Sequence, residues 1–508
     1  MTRPASTIRA LPANSPAPRW IGAFLFALFC LASLGLYAYP LWWPTIRYDD
    51  FSIILKSWTW NETWTNLWLP NNEHAMPLGR LSTWVLVELA GTLRHVPLAV
   101  DLQGPLALLL AMGLVHLFVS RELGHSWYGL LATAFFGIST VYQQAVNWFA
   151  ASFSLLALDT ALLALLAAQA WKRSGRWGHL ALMILSCGLA PAWFASGILA
   201  GPLSSLYLLE DAWSKKGQTL GRRLLTAMAP LIGTALFLAI SLPRTKDAIM
   251  HTYHYGDATA LEGFSLRTGL IYTACSIVDN LSLGVFGIGY VALPDSAIVI
   301  ALVLLTGGAA WWWYRTPKRS LLVLGLAMIL SHYLLSYSAR SLWPYDVMTT
   351  PTWSRYHLVP HLGLTFFLVG GLTRWQHHLN LQENGRLTWK QAGLLAGLAL
   401  ILFAVQVPRG LMVHWTYTIL PDGLAIHWHL PMTHLEQQTA FRHIEEVDGI
   451  CRRHAITAET ARKALGDFRV PLDEGEDNWQ FLSGADPSGA GPFKTEEEAL
   501  EIFAKELK

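Results

Sequence analysis

The sequence predicts an all-α polytopic membrane protein with about eleven to thirteen transmembrane helices. Three observations carry that reading. Hydrophobic residues make up 53% of the 508-residue chain and charged residues only 14%, whereas roughly a quarter of a soluble domain is charged. The apolar residues are gathered into runs near the ~20 residues a helix needs to cross a bilayer. The 24 tryptophans suit aromatic belts at the ends of many such helices. A net charge of +2 is too small to draw a nucleic-acid partner. The four cysteines, Cys30, Cys187, Cys275 and Cys451, show neither disulfide nor zinc spacing.

Taken in order, residues 1–19 are basic and Pro-rich and read as a cytoplasmic tail. Trp20–Tyr39 reads as an uncleaved membrane helix, being long and without an obvious cleavage site. Spans are expected near 20–40, 81–119 (one helix or two), 127–143, 147–171, 177–192, 194–210, 224–242, 268–291, 296–314, 320–338, 357–373 and 391–412. Basic clusters place the cytoplasmic side at Arg3/Arg9/Arg19, Lys172/Arg173/Arg176, Lys215/Lys216/Arg222/Arg223 and Arg315/Lys318/Arg319. The long aromatic loops 41–80, 243–267 and 339–356 then fall outside, and 374–390 returns to the cytoplasm. Within 81–119 and 268–314 the charge rule wants one crossing where hydropathy could supply two. Asp101 and Asp279-Asn280 interrupt those stretches, so a half-helix or interfacial helix is expected in each. The domain plan is therefore a tail at 1–19, a transmembrane domain at 20–412 and a small outer region at 413–508. That last region should hold short helices at 433–454 and 457–466. A final helix should end near Leu507, opened by a Thr495/Glu498 capping box.

The stretch from Arg47 to Arg80 carries the most chemistry. It opens Arg47-Tyr48-Asp49-Asp50-Phe51 just after the first apolar segment. Two carboxylates there are costly near lipid unless water, a partner or a substrate receives them. Tyr48, Trp58, Trp60, Trp64 and Trp68 suit a segment in the headgroup layer. Asp49 and Asp50 are thus expected at the water–membrane boundary, facing a lipid-borne substrate; an acidic pair that only caps a helix or marks topology is the plain alternative. Arg355-Tyr356-His357 enters a later span from the same side. Arg355 there can grip a phosphate bidentately, or it can be an anchor snorkelling to headgroups. Glu73-His74 offers an acceptor or metal site with Asp49 as third ligand, though such a pair also serves as an ordinary hydrogen-bonded loop.

Further along, Leu106–Ala168 contains His116, Arg121-Glu122-Leu123-Gly124, Phe135-Phe136 and Ala145-Val146-Asn147-Trp148. Together with the first helix, the acidic pair and the late Arg-Tyr, this order resembles the GT-C glycosyltransferases, polytopic enzymes that include the protein O-mannosyltransferases and the aminoarabinose transferases. Leu106–Ala168 runs parallel to the tetratricopeptide-bearing O-mannosyltransferase branch, and the resemblance as a whole covers roughly residues 20–375. The chain departs from that branch where charges are usual: it has Ser139-Thr140, Tyr142 and Gln144 before the Ala-Trp, and Ala151-Ser152 and Ser154 after it. The branch's acceptor therefore does not carry over. The acidic pair carries over onto Asp49 and Asp50, and the late arginine onto Arg355.

The resemblance implies inverting transfer of a sugar from a polyprenyl-phosphate donor to a hydroxyl acceptor on the outer face. In that scheme Asp49 is the base and Asp50 orients the acceptor or shares charge with the sugar. Arg355, with Tyr356, His357 or Arg80, holds the donor phosphate. No cofactor is assigned, and a divalent metal stays open. Short loops and the lack of eukaryotic retention signals suggest a bacterial inner membrane, with the site facing the periplasm. Two rivals remain: a transporter using Asp101, Asp159 and Asp279 in broken helices, and a non-catalytic scaffold of the same shape.

Overall fold

The computed structural model describes residues 17–18, 20–37, 44, 46, 49–71, 74–214, 220–253, 265–287, 307–308, 320–340, 353–373, 387–418, 434–465 and 493–507. Arg47, Tyr48 and Glu73 lie outside the described residues, as does most of the expected span at 296–314. The described chain is helical. It begins with α1 (Trp20–Tyr37), then α2 (Asp49–Leu55), α3 (Trp60–Thr65), α4 (Pro77–Ala90), α5 (Val96–Asp101) and α6 (Gln103–Leu123). There follow α7 (Ser126–Gly137), α8 (Gln143–Asn147), α9 (Phe149–Ser174), α10 (Trp177–Trp193), α11 (Ala200–Ser214) and α12 (Leu220–Tyr253). Next come α13 (Leu266–Phe286), α14 (Ser320–Arg340), α15 (Leu358–Leu372) and α16 (Trp389–Thr418). Three C-terminal helices close the order: α17 (His434–His454), α18 (Ala458–Leu465) and α19 (Glu496–Glu506).

Among the described residues seven segments are long and apolar enough to cross a membrane: Trp20–Tyr37, Leu93–Leu123, Phe149–Ser174, Leu224–Thr245, Leu266–Phe286, Ser320–Ala339 and Trp389–Pro408. This is an all-α polytopic membrane protein. Leu225, Leu266, Leu400 and Ile401 are among the large apolar side chains left exposed on these spans, as lipid contact requires.

Several expected spans are resolved differently. Region 81–119 holds one long apolar segment, Leu93–Leu123, because α4 has only 14 residues and ends at Gly91, whose φ of 68° is the left-handed cap a glycine tolerates. The segment at 127–143 breaks into 12-residue α7 and 5-residue α8. Its connecting turn is satisfied by side chains: Thr140 N and Oγ1 donate to Gln406 Oε1 at 2.9 and 2.6 Å, while Gln406 Nε2 donates to the Leu283 carbonyl at 2.9 Å. Asp279-Asn280, expected to interrupt its helix, sits inside a continuous α13. The backbone ladder is kept there because the two polar side chains find partners on neighbouring helices.

Close helix contact depends on small residues, as is usual where lipid offers helices no hydrophobic gain from association. At the α14–α15 crossing a Cβ on Gly325 would lie 2.4 Å from the Gly363 carbonyl oxygen, and one on Gly363 would lie 2.6 Å from the Gly325 oxygen. Gly325→Leu is therefore expected to cost about 1–3 kcal/mol by overpacking and to lower the thermal midpoint in detergent. An unchanged midpoint would mean the two helices can separate freely.

The C-terminal helices do not stand apart from the rest. Phe441, Ile444 and Val447 of α17 share a buried apolar cluster with Phe51 and Ile53 of α2 and with Val96. Glu445 accepts from the Arg94 backbone N–H at 3.0 Å. The capping box of Thr495 and Glu498 opens α19, and Glu506 at its end bonds Arg453 and His454 of α17. The helix bearing the acidic pair and the C-terminal helices thus lie at one end of the molecule.

Candidate active site

The start of α9 is where the two separated parts of the expected site meet. The residue before this helix is Trp148, whose backbone is extended and whose side chain caps nothing. A helix start leaves backbone N–H groups without partners. One of them, Ala150 N, donates to Asp50 Oδ1 at 2.8 Å, across 100 residues of sequence. Asp50 is only 1% exposed. Its carboxylate at a helix N-terminus is favoured by the helix dipole, by about 0.3–1 kcal/mol and up to ~2 when partly buried. Asp49 begins α2 beside it and is half-buried.

Arg355 arrives at the same place from the other side. It lies in a 3-10 turn, Ser354–His357, which leads into α15. Ser354 Oγ accepts from Gln144 N at 3.0 Å and so pins the turn to α8. The Arg355 guanidinium sits among three rings, with its carbon 5.1 Å from the centre of Trp148, 4.5 Å from Trp353 and 5.2 Å from Tyr356. Tyr356 and Trp353 stack with planes 16° apart. Among the described residues no carboxylate pairs with Arg355. Aromatic faces hold a cation in place while leaving its N–H groups to other acceptors.

The remaining expected residues are turned elsewhere. Arg80 has no exposure, and its Nη1 donates to the carbonyl of Ile53 at 3.2 Å, with Ser52 and Leu69 carbonyls at 3.5 Å. Burial lowers its pKa to about 10, which still leaves it charged near neutrality. It staples α2 to the loop at 66–70. His357 is likewise fully buried and bonded inward to Asp279 and Tyr333. His74 packs its ring against Phe194 with centroids 4.0 Å apart. Its expected partner Glu73 lies outside the described residues. No group of three or more His, Cys, Asp or Glu side chains placed to hold a metal occurs among the described residues.

Ser139, Tyr142, Ser152 and Ser154 form neutral hydrogen bonds to other groups of the protein. Ser139's carbonyl accepts from the Tyr37 hydroxyl, and Tyr142's hydroxyl donates to Phe136. Ser152 Oγ accepts from Gln103 Nε2 at 2.7 Å, and Ser154 Oγ donates to Ala151 O at 2.6 Å.

A small apolar crevice lies between α9, α11, α14 and α15, walled by Leu158, Leu162, Leu165, Leu203, Met328 and Val359.

Comparison with known proteins assigns no family. No family model matches this chain, and no curated protein matches it significantly. Among solved structures, the apo oligosaccharyltransferase of Archaeoglobus fulgidus is similar at 12% identity and a TM-score of 0.42, over 96% of this chain. This chain spans 64% of that one.

Proposed function

We propose that this protein is an inverting membrane glycosyltransferase that moves a sugar, a hexose or pentose, from a polyprenyl-phosphate donor to a hydroxyl acceptor on the outer face of the membrane. One observation supports the reading: Arg355, held by rings and unpaired with any described carboxylate, stands over Trp148 at the same start of α9 that Asp50 bonds through Ala150. A lipid phosphate needs a cation for its head, and the acidic pair at the same helix start stands where an acceptor hydroxyl could be deprotonated.

The chemistry follows from what each group can do. The acceptor oxygen attacks the anomeric carbon from the face opposite the phosphate. The bond from that carbon to the phosphate oxygen breaks, its electron pair leaves with the phosphate, and the anomeric configuration inverts. Arg355 stabilises the charge that grows on the leaving group, which is why no strong general acid is needed. Asp49 takes the acceptor hydroxyl's proton, a contribution of about 10²–10⁴-fold. Asp50, bonded to Ala150, fixes α2 against the start of α9 and so sets where Asp49 points. The rings around Arg355 offer a face on which a sugar can stack.

Transport is the rival with an observation behind it. Asp159 is buried in the spanning helix α9, and neither of its carboxylate oxygens has a hydrogen-bond partner among the described residues. The experiment that separates the two is native mass spectrometry of the detergent-purified protein, joined to a transfer assay with a polyprenyl-phosphate sugar and anomer analysis of the product. A bound prenyl-phosphate mass and an inverted product are expected. No such lipid at any detergent load, with no product, would move the reading to transport and to Asp159→Asn.

A further inference from the structure

An ionisable pair buried between spanning helices has no evident part in the chemistry above. Asp279 in α13 and His357 at the end of the Arg355 turn are both fully inaccessible, with His357 Nε2 3.0 Å from Asp279 Oδ2. The other ring nitrogen, Nδ1, is 2.9 Å from the Tyr333 hydroxyl of α14. Asn280 Nδ2 donates to that hydroxyl at 2.9 Å and reaches the His357 carbonyl at 3.4 Å. The imidazole and its own backbone are therefore gripped by three residues from two helices. Asp279 Oδ1 has no hydrogen-bond partner among the described residues, so the carboxylate's hold on the structure passes through His357.

A buried carboxylate in a membrane helix is expensive, and a bonded partner offsets part of that cost. Here the partner lies two residues from the cation of the proposed donor site. In a 3-10 turn successive side chains are about 120° apart, so Arg355 and His357 leave the turn on different faces. With Ser354 tied to α8 at one end and His357 tied to α13 and α14 at the other, the face that carries Arg355 is left with little freedom.

We propose that Asp279 is a positioning residue: by holding His357 it fixes the turn that presents Arg355, and so sets the grip on the donor phosphate. The inference rests on the reading of Arg355 as the phosphate ligand. The test measures the affinity of the purified full-length protein for undecaprenyl phosphate and for undecaprenol, which lacks the phosphate. The ratio of the two isolates the head-group contribution from that of the chain.

Arg355→Ala should abolish the preference for the phosphate. Asp279→Asn should reduce it about tenfold, within the range shown by coupled neighbours, with undecaprenol affinity unchanged. If Arg355→Ala abolishes the preference while Asp279→Asn keeps it, positioning is refuted and the donor reading stands. Equal losses for both lipids in Asp279→Asn would mean a merely structural role and overturn the inference. If Arg355→Ala keeps the preference, the donor reading itself fails. Should Asp279→Asn not fold, His357→Gln, which breaks the same link from the other side, is read against the same ratio and the same outcomes.

Discussion

Replacing Arg355 with alanine is expected to lower kcat by about 10²–10³-fold, the loss that follows when one donor aimed at developing negative charge is removed. The three rings around the guanidinium explain why it is positioned for such a role rather than mobile on a surface. Arg355→Lys restores charge but neither the planar fork nor the stacking, so it should recover only part of the rate. The measurement is the initial rate of prenyl-phosphate release against donor concentration. Removing a group that acts mainly on growing charge reduces kcat more than it raises KM. A variant with normal kcat and KM would make Arg355 an interfacial anchor, and the donor site would have to be sought elsewhere. Asp159→Asn serves as the control, since catalysis places no demand on that carboxylate.

The fold class was legible because lipid imposes a simple rule: long apolar runs must be helices. The same rule does not say where a run is cut. Residues 127–143 are apolar enough to resemble one span, yet Thr140 and Gln406 satisfy a turn there through a contact 266 residues apart. No local pattern announces such a partner. Arg80 and His357 are expected to join Arg355 at the phosphate, and both are buried and bonded to groups of the protein. For His357 a usable signal existed. Asp279 lay within an apolar stretch and needed a partner, and a histidine entering a neighbouring span was a natural one. Asp50 left a fainter trace: α9 begins after Trp148, which is no capping residue, so its first N–H groups had to be satisfied from elsewhere.

The two adjacent carboxylates should part company on mutation, and this is the sharpest test of the proposed mechanism. Asp49→Asn removes a base while leaving its volume, so it should fold normally and lose about 10²–10⁴-fold in kcat. Asp50 should behave as architecture. Asp50→Asn retains an oxygen able to accept from Ala150 N, and loses mainly the charge–dipole term of about 0.3–1 kcal/mol, up to ~2 in a partly buried setting. Asp50→Leu leaves that buried N–H unsatisfied, at a cost of about 1–3 kcal/mol, and should lower the thermal midpoint clearly. Both midpoint and rate are measured for each variant, because a rate loss alone cannot distinguish a base from a strut. If Asp50→Asn is stable but inactive while Asp49→Asn turns over normally, the roles are exchanged, and the carboxylate bonded to Ala150 is the chemical one. If both retain full activity, the acidic pair has no part in proton transfer, and the catalytic reading of this end of the molecule fails with it.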